Sequence, residues 1–385
     1  MVTSNYAKIR LPLLVFVLFT VFEVVLGRVL NTTWEWDSAI RSMQGYEVAT
    51  KGLGWYFSEG SGHYVWLPFW QLLIGSEYSL LRIDAILLGE VTSALCAGGV
   101  AVYVSAFLRK YGLSESRSVL GSLMLLSFGN YVSYSSQAMT ESLSILLFLA
   151  CLYHLYRYYE TGSLRSLGIA SMASLLHVTT RYEAWFFLVT IAGSMFLKWA
   201  LSENSRFKFV GLIHIILFCL PSIVFIGLWL EYNLAMTKSI FGFRDWILAN
   251  NGHEDQIFYR NVGFTLIMVL GDLFLSLGAF WMSMAEQLRR LAGRSQRIQD
   301  DMRILFGLLF LGYVFYFAYS MFTGFNNGWP RHLLYFVPIS IITFMSDRFE
   351  RKPTSYIMLA FNIVLGLVAF ASNLQAHNLF VQSGP

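Results

Sequence analysis

"LPLLVFVLFTVFEVVLGRVLNTTWEWDSAIRSMQGYEVATKG", Leu11 to Gly52, joins two kinds of sequence whose order decides the fold. Its first half, 11–30, is apolar except for Glu23 and Arg28. A bilayer core needs about 20 such residues in a helix. The run has no small-residue cleavage site and carries an acid, so it reads as a retained spanning helix and not a signal peptide. The second half turns polar and aromatic at once, with Glu35 and Asp37 set beside Trp34 and Trp36. Acids at the mouth of a membrane helix need a reason.

The rest of the chain has the same character. Of its 385 residues 56% are hydrophobic and 17% aromatic, and only 13% are charged, against about 25% in a soluble domain. That composition excludes a soluble globular or disordered chain. Cys96, Cys151 and Cys219 fall inside apolar runs, which suits neither a disulfide framework nor a zinc site. Eleven apolar runs read as spans, the fifth and tenth of them short: roughly 11–30, 80–107, 118–134, 139–156, 166–180, 183–199, 209–230, 262–284, 304–322, 332–346 and 354–372. The expectation is an all-α polytopic membrane protein, one transmembrane domain over 1–385, without internal repeats.

Basic residues orient it. With the N-terminus inside, eighteen of the 27 Lys and Arg fall in inner loops, as the positive-inside rule requires. The stretch "QLRRLAGRSQRIQDDMR" (287–303) then reads as a topology-setting loop, not a nucleic-acid patch, and no nucleic-acid partner is expected. Two long loops, 31–79 and 231–261, fall outside, and long loops in compact proteins are usually functional. In the first, 37–51 fits a short helix with Ala39, Ile40 and Met43 on one side and Arg41, Gln44 and Glu47 elsewhere. "HYVWLPFWQLLIG" (63–75) fits a second, too short to span. Both suit the membrane interface. Between them, "KGLGWYFSEGSG" (51–62) has four glycines and can approach a ligand closely. Asp37 suits a helix N-cap, a place from which it can also line a cavity.

The order of these features resembles the GT-C superfamily of membrane glycosyltransferases, which includes protein O-mannosyltransferases and aminoarabinose transferases. The likeness rests on "WEWDSAIRSMQGYEVATKG", "GSGHYVWLPFWQLLIG" and "SLLRIDAILLG", then on "SQAMTESLSILLFLACLYHLYRY" (136–158), "HVTTRYEAWFFLV" (177–189) and "WPRHLLYFVPI" (329–339). The "HPDE"-type motif of the dolichol-pathway mannosyltransferases is missing, and a double-proline segment is reduced to Pro68.

The resemblance implies a sugar, mannose-like hexose first, carried on a polyprenyl or dolichyl phosphate and moved to an acceptor hydroxyl on a glycan, lipid or protein. It implies Asp37 as general base, with Glu35 secondary, and a multi-pass protein of a prokaryotic cell membrane working at the outer face among membrane lipids. The departing phosphate needs cations, and arginine's fork suits it. Arg181, Arg331, His332, Lys238 and Arg244 are the outer candidates. Gln137, Glu141, Tyr182, Glu183 and His63 are candidates for the substrate cavity. Gln137 and Glu141 stand four apart, which places them on one helix face. Glu35 and Asp37 form an E-x-D pair able in principle to hold a divalent ion, but the family looks metal-independent, so no cofactor is expected. The competing reading is a transporter or flippase of lipid-linked sugars; charges at the outer ends and the lack of repeats weigh against it.

Overall fold

The structure is a computed structural model, and it describes residues 3–30, 36–58, 63–200, 205–247 and 334–346, with 249, 305, 308 and 309. Among the described residues all regular structure is helical. Three helices among the described residues are long and apolar enough to cross a membrane, over Pro12–Val29, Ala85–Lys110 and Val210–Thr237.

Helix α1 (Thr3–Leu30) packs along α5 (Ala85–Lys110), whose other side meets α8 (Thr140–Thr161). Helix α9 (Leu164–Val178) packs on α8, and α11 (Ser205–Thr237) covers α9 and α10 (Glu183–Ala200). A further helix, α12 (Phe336–Ser346), lies against α5. The shared core is apolar and aromatic, with Phe107, Phe148, Phe187 and Tyr335 at its centre. Helix α1 exposes Leu14, Val17, Leu18 and Val21, and α11 exposes Ile216, Leu220 and Ile223. Such flanks are costly in water and at home against lipid tails.

The apolar runs at 11–30, 139–156, 166–180 and 183–199 fall on helices α1, α8, α9 and α10. Three differ in detail. The run 118–134 is not one helix: α6 (Glu115–Leu123) gives way to a 3-10 turn (Met124–Ser127), then α7 (Gly129–Ser135). Phe128 between them is extended, at φ −97° and ψ 92°. Hydroxyls that bond back to their own backbone favour such breaks, and Ser127 and Ser135 do so, to Met124 O and Tyr131 O. The run 80–107 is cut at its start, because Arg82 takes a left-handed φ of 56° and Asp84 caps α5 through the Leu87 N–H at 2.9 Å. Helix α11 continues to Thr237, into what the sequence assigns to the second outer loop. The runs 262–284 and 354–372, and nearly all of 304–322, lie outside the described residues.

The segment that the sequence assigns to the first outer loop holds α2 (Trp36–Lys51), α3 (Leu53–Tyr56) and α4 (Phe69–Leu81). The second of its expected helices starts later than the sequence suggests. Residues 63–68 form turns, and Pro68, which has no N–H to give a preceding turn, stands just before α4. Helices α2 and α4 cross where both carry glycine: a Cβ on Gly75 would lie 2.8 Å from Gly45 O, and one on Gly45 2.8 Å from Ile74 Cβ.

The helical hairpins sort the connections to two ends. At one end Lys110 pairs with Glu160 at 2.6 Å, Lys198 lies over the Tyr159 ring at 4.3 Å, and Tyr158 Oη meets His214 Nδ1 at 2.6 Å. At the other end the segment of α2 to α4, the 136–139 turn, the 179–182 corner and the segment after α11 come together.

Candidate functional site

Helix α2 forms one wall, and it is inside out. Ile40 and Met43 are 37% and 51% exposed, whereas Ser38, Ser42 and Arg41 are 0%, 0% and 6% exposed. The sequence reading set Arg41 and Gln44 off the apolar side, and they do lie off it, but theirs is the face that packs inward. A polar face can turn inward only if it finds partners there. Gln71 of α4 donates to Gln44 Oε1 at 3.1 Å, and the Arg41 guanidinium sits 3.9 Å over the Trp66 ring, a cation–π contact strengthened by burial. A Cβ on Gly89 of α5 would meet Ser42 Oγ at 2.9 Å and Ala138 Cβ at 2.6 Å, so helix, span and turn touch here. Asp37 lies within the first turn of α2, half-buried, one turn before Arg41. Its carboxylate therefore feels the positive end of the helix dipole. Glu35 lies outside the described residues.

The glycine-rich stretch after α2 packs through its aromatics. The buried His63 ring stacks on Tyr56 at 4.6 Å and meets Trp55 edge-on at 5.1 Å. Its Nε2 lies 3.7 Å from Glu47, which also holds Lys51 at 2.9 Å. Burial lowers the His63 pKa, with Glu47 pulling the other way and Lys51 reinforcing the fall. Burial likewise raises the Tyr56 hydroxyl pKa. The loop then reaches Tyr232 of α11 through Phe57, 5.6 Å between rings.

The 179–183 corner is a charged hub. Arg181 Nε and Nη2 donate to the two oxygens of Glu183 at 3.2 and 2.8 Å; Nη1 donates to Glu141 at 2.5 Å and to Thr140 Oγ1 at 3.2 Å. Burial works against its charge, but the Glu141 and Glu183 carboxylates outweigh that and push its pKa up. A phosphate would therefore have to displace a carboxylate to reach this fork. Tyr182 Oη donates to Val65 O at 3.0 Å and accepts from Trp229 Nε1 at 3.1 Å, and its ring stacks on Phe243 at 4.1 Å. Nearby, Tyr335 Oη bonds Ser144 Oγ at 2.5 Å.

Gln137 is not on the α8 face with Glu141. It sits in the turn before that helix, fully buried, with Nε2 donating to Ser133 O at 2.9 Å. Lys238 ends α11 in a left-handed conformation, φ 63°, exposed, with its ammonium 3.3 Å from Ala235 O. Arg244 is half-buried, next to the Phe243 that stacks on Tyr182. Arg331 and His332 lie outside the described residues. Among the described residues no three His, Cys, Asp or Glu side chains gather as metal ligands.

The structure thus brings Asp37, His63, Glu141, Arg181, Tyr182, Glu183 and Arg244 to one end of the helix assembly. It adds Arg41, Trp66, Trp229 and Phe243, which sequence reasoning missed. The available signal was the spacing of Asp37 and Arg41, four apart on one helix face.

No protein-family model matches the chain, and comparison with curated proteins finds no match. Among solved structures, the S. cerevisiae protein O-mannosyltransferase Pmt1-Pmt2 complex bound to the sugar donor is similar over 60% of this chain and 34% of that one. The identity is 15% and the TM-score 0.44. At that level the likeness decides neither fold nor activity.

Proposed function

We propose that the chain is a membrane glycosyltransferase that moves a hexose from a polyprenyl or dolichyl phosphate to an acceptor hydroxyl at the outer face of the membrane. One observation carries the reading: a buried arginine, Arg41, stands one helical turn from the Asp37 carboxylate, at the end of the assembly where the outer connections meet. The ordered motifs of the sequence give the same assignment of Asp37.

The chemistry needs both charges. The acceptor hydroxyl attacks the anomeric carbon; its proton passes to Asp37, the new glycosidic C–O bond forms, and the old bond to the phosphate oxygen breaks. The phosphate leaves with the electron pair and gains negative charge, which a fixed cation stabilises. Arg41, over Trp66 and one turn from Asp37, is assigned that role, and Arg181 is committed to Glu141, Glu183 and Thr140. The lipid tail of the donor would lie along the apolar helix flanks. No metal enters these steps.

The test is transfer of radiolabelled mannose from polyprenyl phosphate mannose by the purified protein in nanodiscs, with host membrane extract as acceptor. A positioned base contributes roughly 10²–10⁴-fold, so Asp37→Asn should lose at least about a hundredfold in turnover while still binding donor. Arg41→Gln should instead weaken donor binding by about 1.5–3 kcal/mol. Near-wild-type transfer by Asp37→Asn would sink the catalytic assignment.

A transporter or flippase of lipid-linked sugars is favoured by one separate feature. Glu23, in the spanning part of α1, is completely buried. Ser135 lies beside it, its hydroxyl committed to Tyr131 O at 2.8 Å. Acids inside a membrane often mark transport paths. Movement of a fluorescent polyprenyl-linked sugar across proteoliposomes, lost in Glu23→Gln and kept in Asp37→Asn, would decide for transport.

A further inference from the structure

The corner at 179–182 holds the first outer loop at two points. Phe69 N donates to Thr179 O at 3.1 Å, and Tyr182 Oη donates to Val65 O at 3.0 Å. Between those anchors lies Trp66, the ring beneath Arg41. The Tyr182 hydroxyl is itself set by two other elements: it accepts from Trp229 Nε1 of α11, and its ring lies flat on Phe243 beyond that helix. One phenol thus ties the loop to α11, to the segment after it and to the α9–α10 corner. We propose that Tyr182 is a positioning residue, whose hydroxyl fixes Val65 and Trp66 and through them the Arg41 guanidinium that binds a lipid-linked phosphate.

The inference rests on the glycosyltransferase reading for its ligand, and it changes the role of Tyr182 from cavity wall to clasp. Its physical basis is local. A tyrosine hydroxyl that both donates and accepts has its direction set by both partners. The Val65 carbonyl cannot move without breaking that bond. Loss of the hydroxyl leaves the ring stack and the Phe69 anchor in place, so the loop stays attached but loses its register at Trp66.

The experiment uses the full chain in nanodiscs and undecaprenyl phosphate as probe. Tyr182→Phe keeps the ring and removes only the hydroxyl. Its affinity for undecaprenyl phosphate should fall about tenfold, the scale of one lost hydrogen bond to an ordered loop. In an Arg41→Gln background the same change should have no further effect, because residues that act through one another are not additive. A purely structural loss would be felt equally in both backgrounds, and additive effects would overturn the proposal. Hydrogen exchange gives an arm independent of ligand. The amides of residues 64–67 should exchange at least about tenfold faster in Tyr182→Phe, with α5 and α8 unchanged. Unchanged exchange at 64–67 would remove the clasp even if wild-type protein binds the probe. Failure of the wild type to bind undecaprenyl phosphate would overturn the transferase reading and the clasp's role in binding with it, whatever the exchange arm shows.

Discussion

Arg181 shows how a residue's surroundings reassign its chemistry. By type and sidedness it suits a phosphate; by contacts it is the centre of a buried pair of carboxylates. Removing one partner of a buried ion pair strands the other and costs about 3–5 kcal/mol. Arg181→Met should therefore lower the melting temperature in detergent sharply, and the triple change Arg181→Met, Glu141→Leu, Glu183→Met should restore most of it. If the single variant melts like wild type, the cluster is not structural and a ligand role returns. His63 gives a second test, on pH. Its folded pKa lies below the ordinary value near 6.5 because burial disfavours the charged ring, while Glu47 pulls upward and Lys51 downward; the rings of Tyr56 and Trp55 pack against it. The unfolded chain then binds the proton more readily than the folded one. Stability from this residue is whole above pH 6.5 or so and is lost as pH falls through the depressed value. Melting curves from pH 8 to pH 5 should show that fall in wild type and a smaller one in His63→Gln.

At the scale of elements, the sequence was most readable where lipid decides. Runs of twenty apolar residues have few alternatives to helix, and α1, α8, α10 and α11 stand close to where those runs place them. It was least readable where two local preferences compete. The serines of 118–136 offer the backbone hydroxyl partners and break the helix. Pro68 delays α4, and Asp84 starts α5 afresh. The site followed the same division. Asp37 could be placed from its neighbours along the chain, but Arg41 could not. The inward face of α2 is its polar one, and only packing against Trp66 and α4 shows which face is covered. The α2–α4 crossing tests this packing. A Cβ at Gly75 would meet the Gly45 carbonyl, backbone that cannot rotate away. Overpacking costs about 1–3 kcal/mol, so Gly75→Val should destabilise the protein by that amount and raise proteolysis between α2 and α4. Unchanged cleavage would mean that the two helices are not held at this contact.

For the molecule as a whole, the decisive issue is which end faces out. The hairpins place Lys110, Glu160 and Lys198 at one end and Asp37, Arg41 and Arg181 at the other. That separation follows from helix order. The basic residues do supply a direction, since charged loops cross a membrane reluctantly and positive ones are retained inside. The three cysteines, Cys96, Cys151 and Cys219, are all buried, so single new cysteines can report sidedness against a quiet background. Ser76 on α4 and Thr161 at the end of α8 are both exposed and belong to opposite ends. In intact cells a membrane-impermeant maleimide should label Ser76→Cys at once and Thr161→Cys only after permeabilisation. The converse pattern would put Asp37 and Arg41 inside. A lipid-phosphate donor presented at the outer leaflet could then never reach them, and the proposed reaction would fail on geometry before any rate was measured.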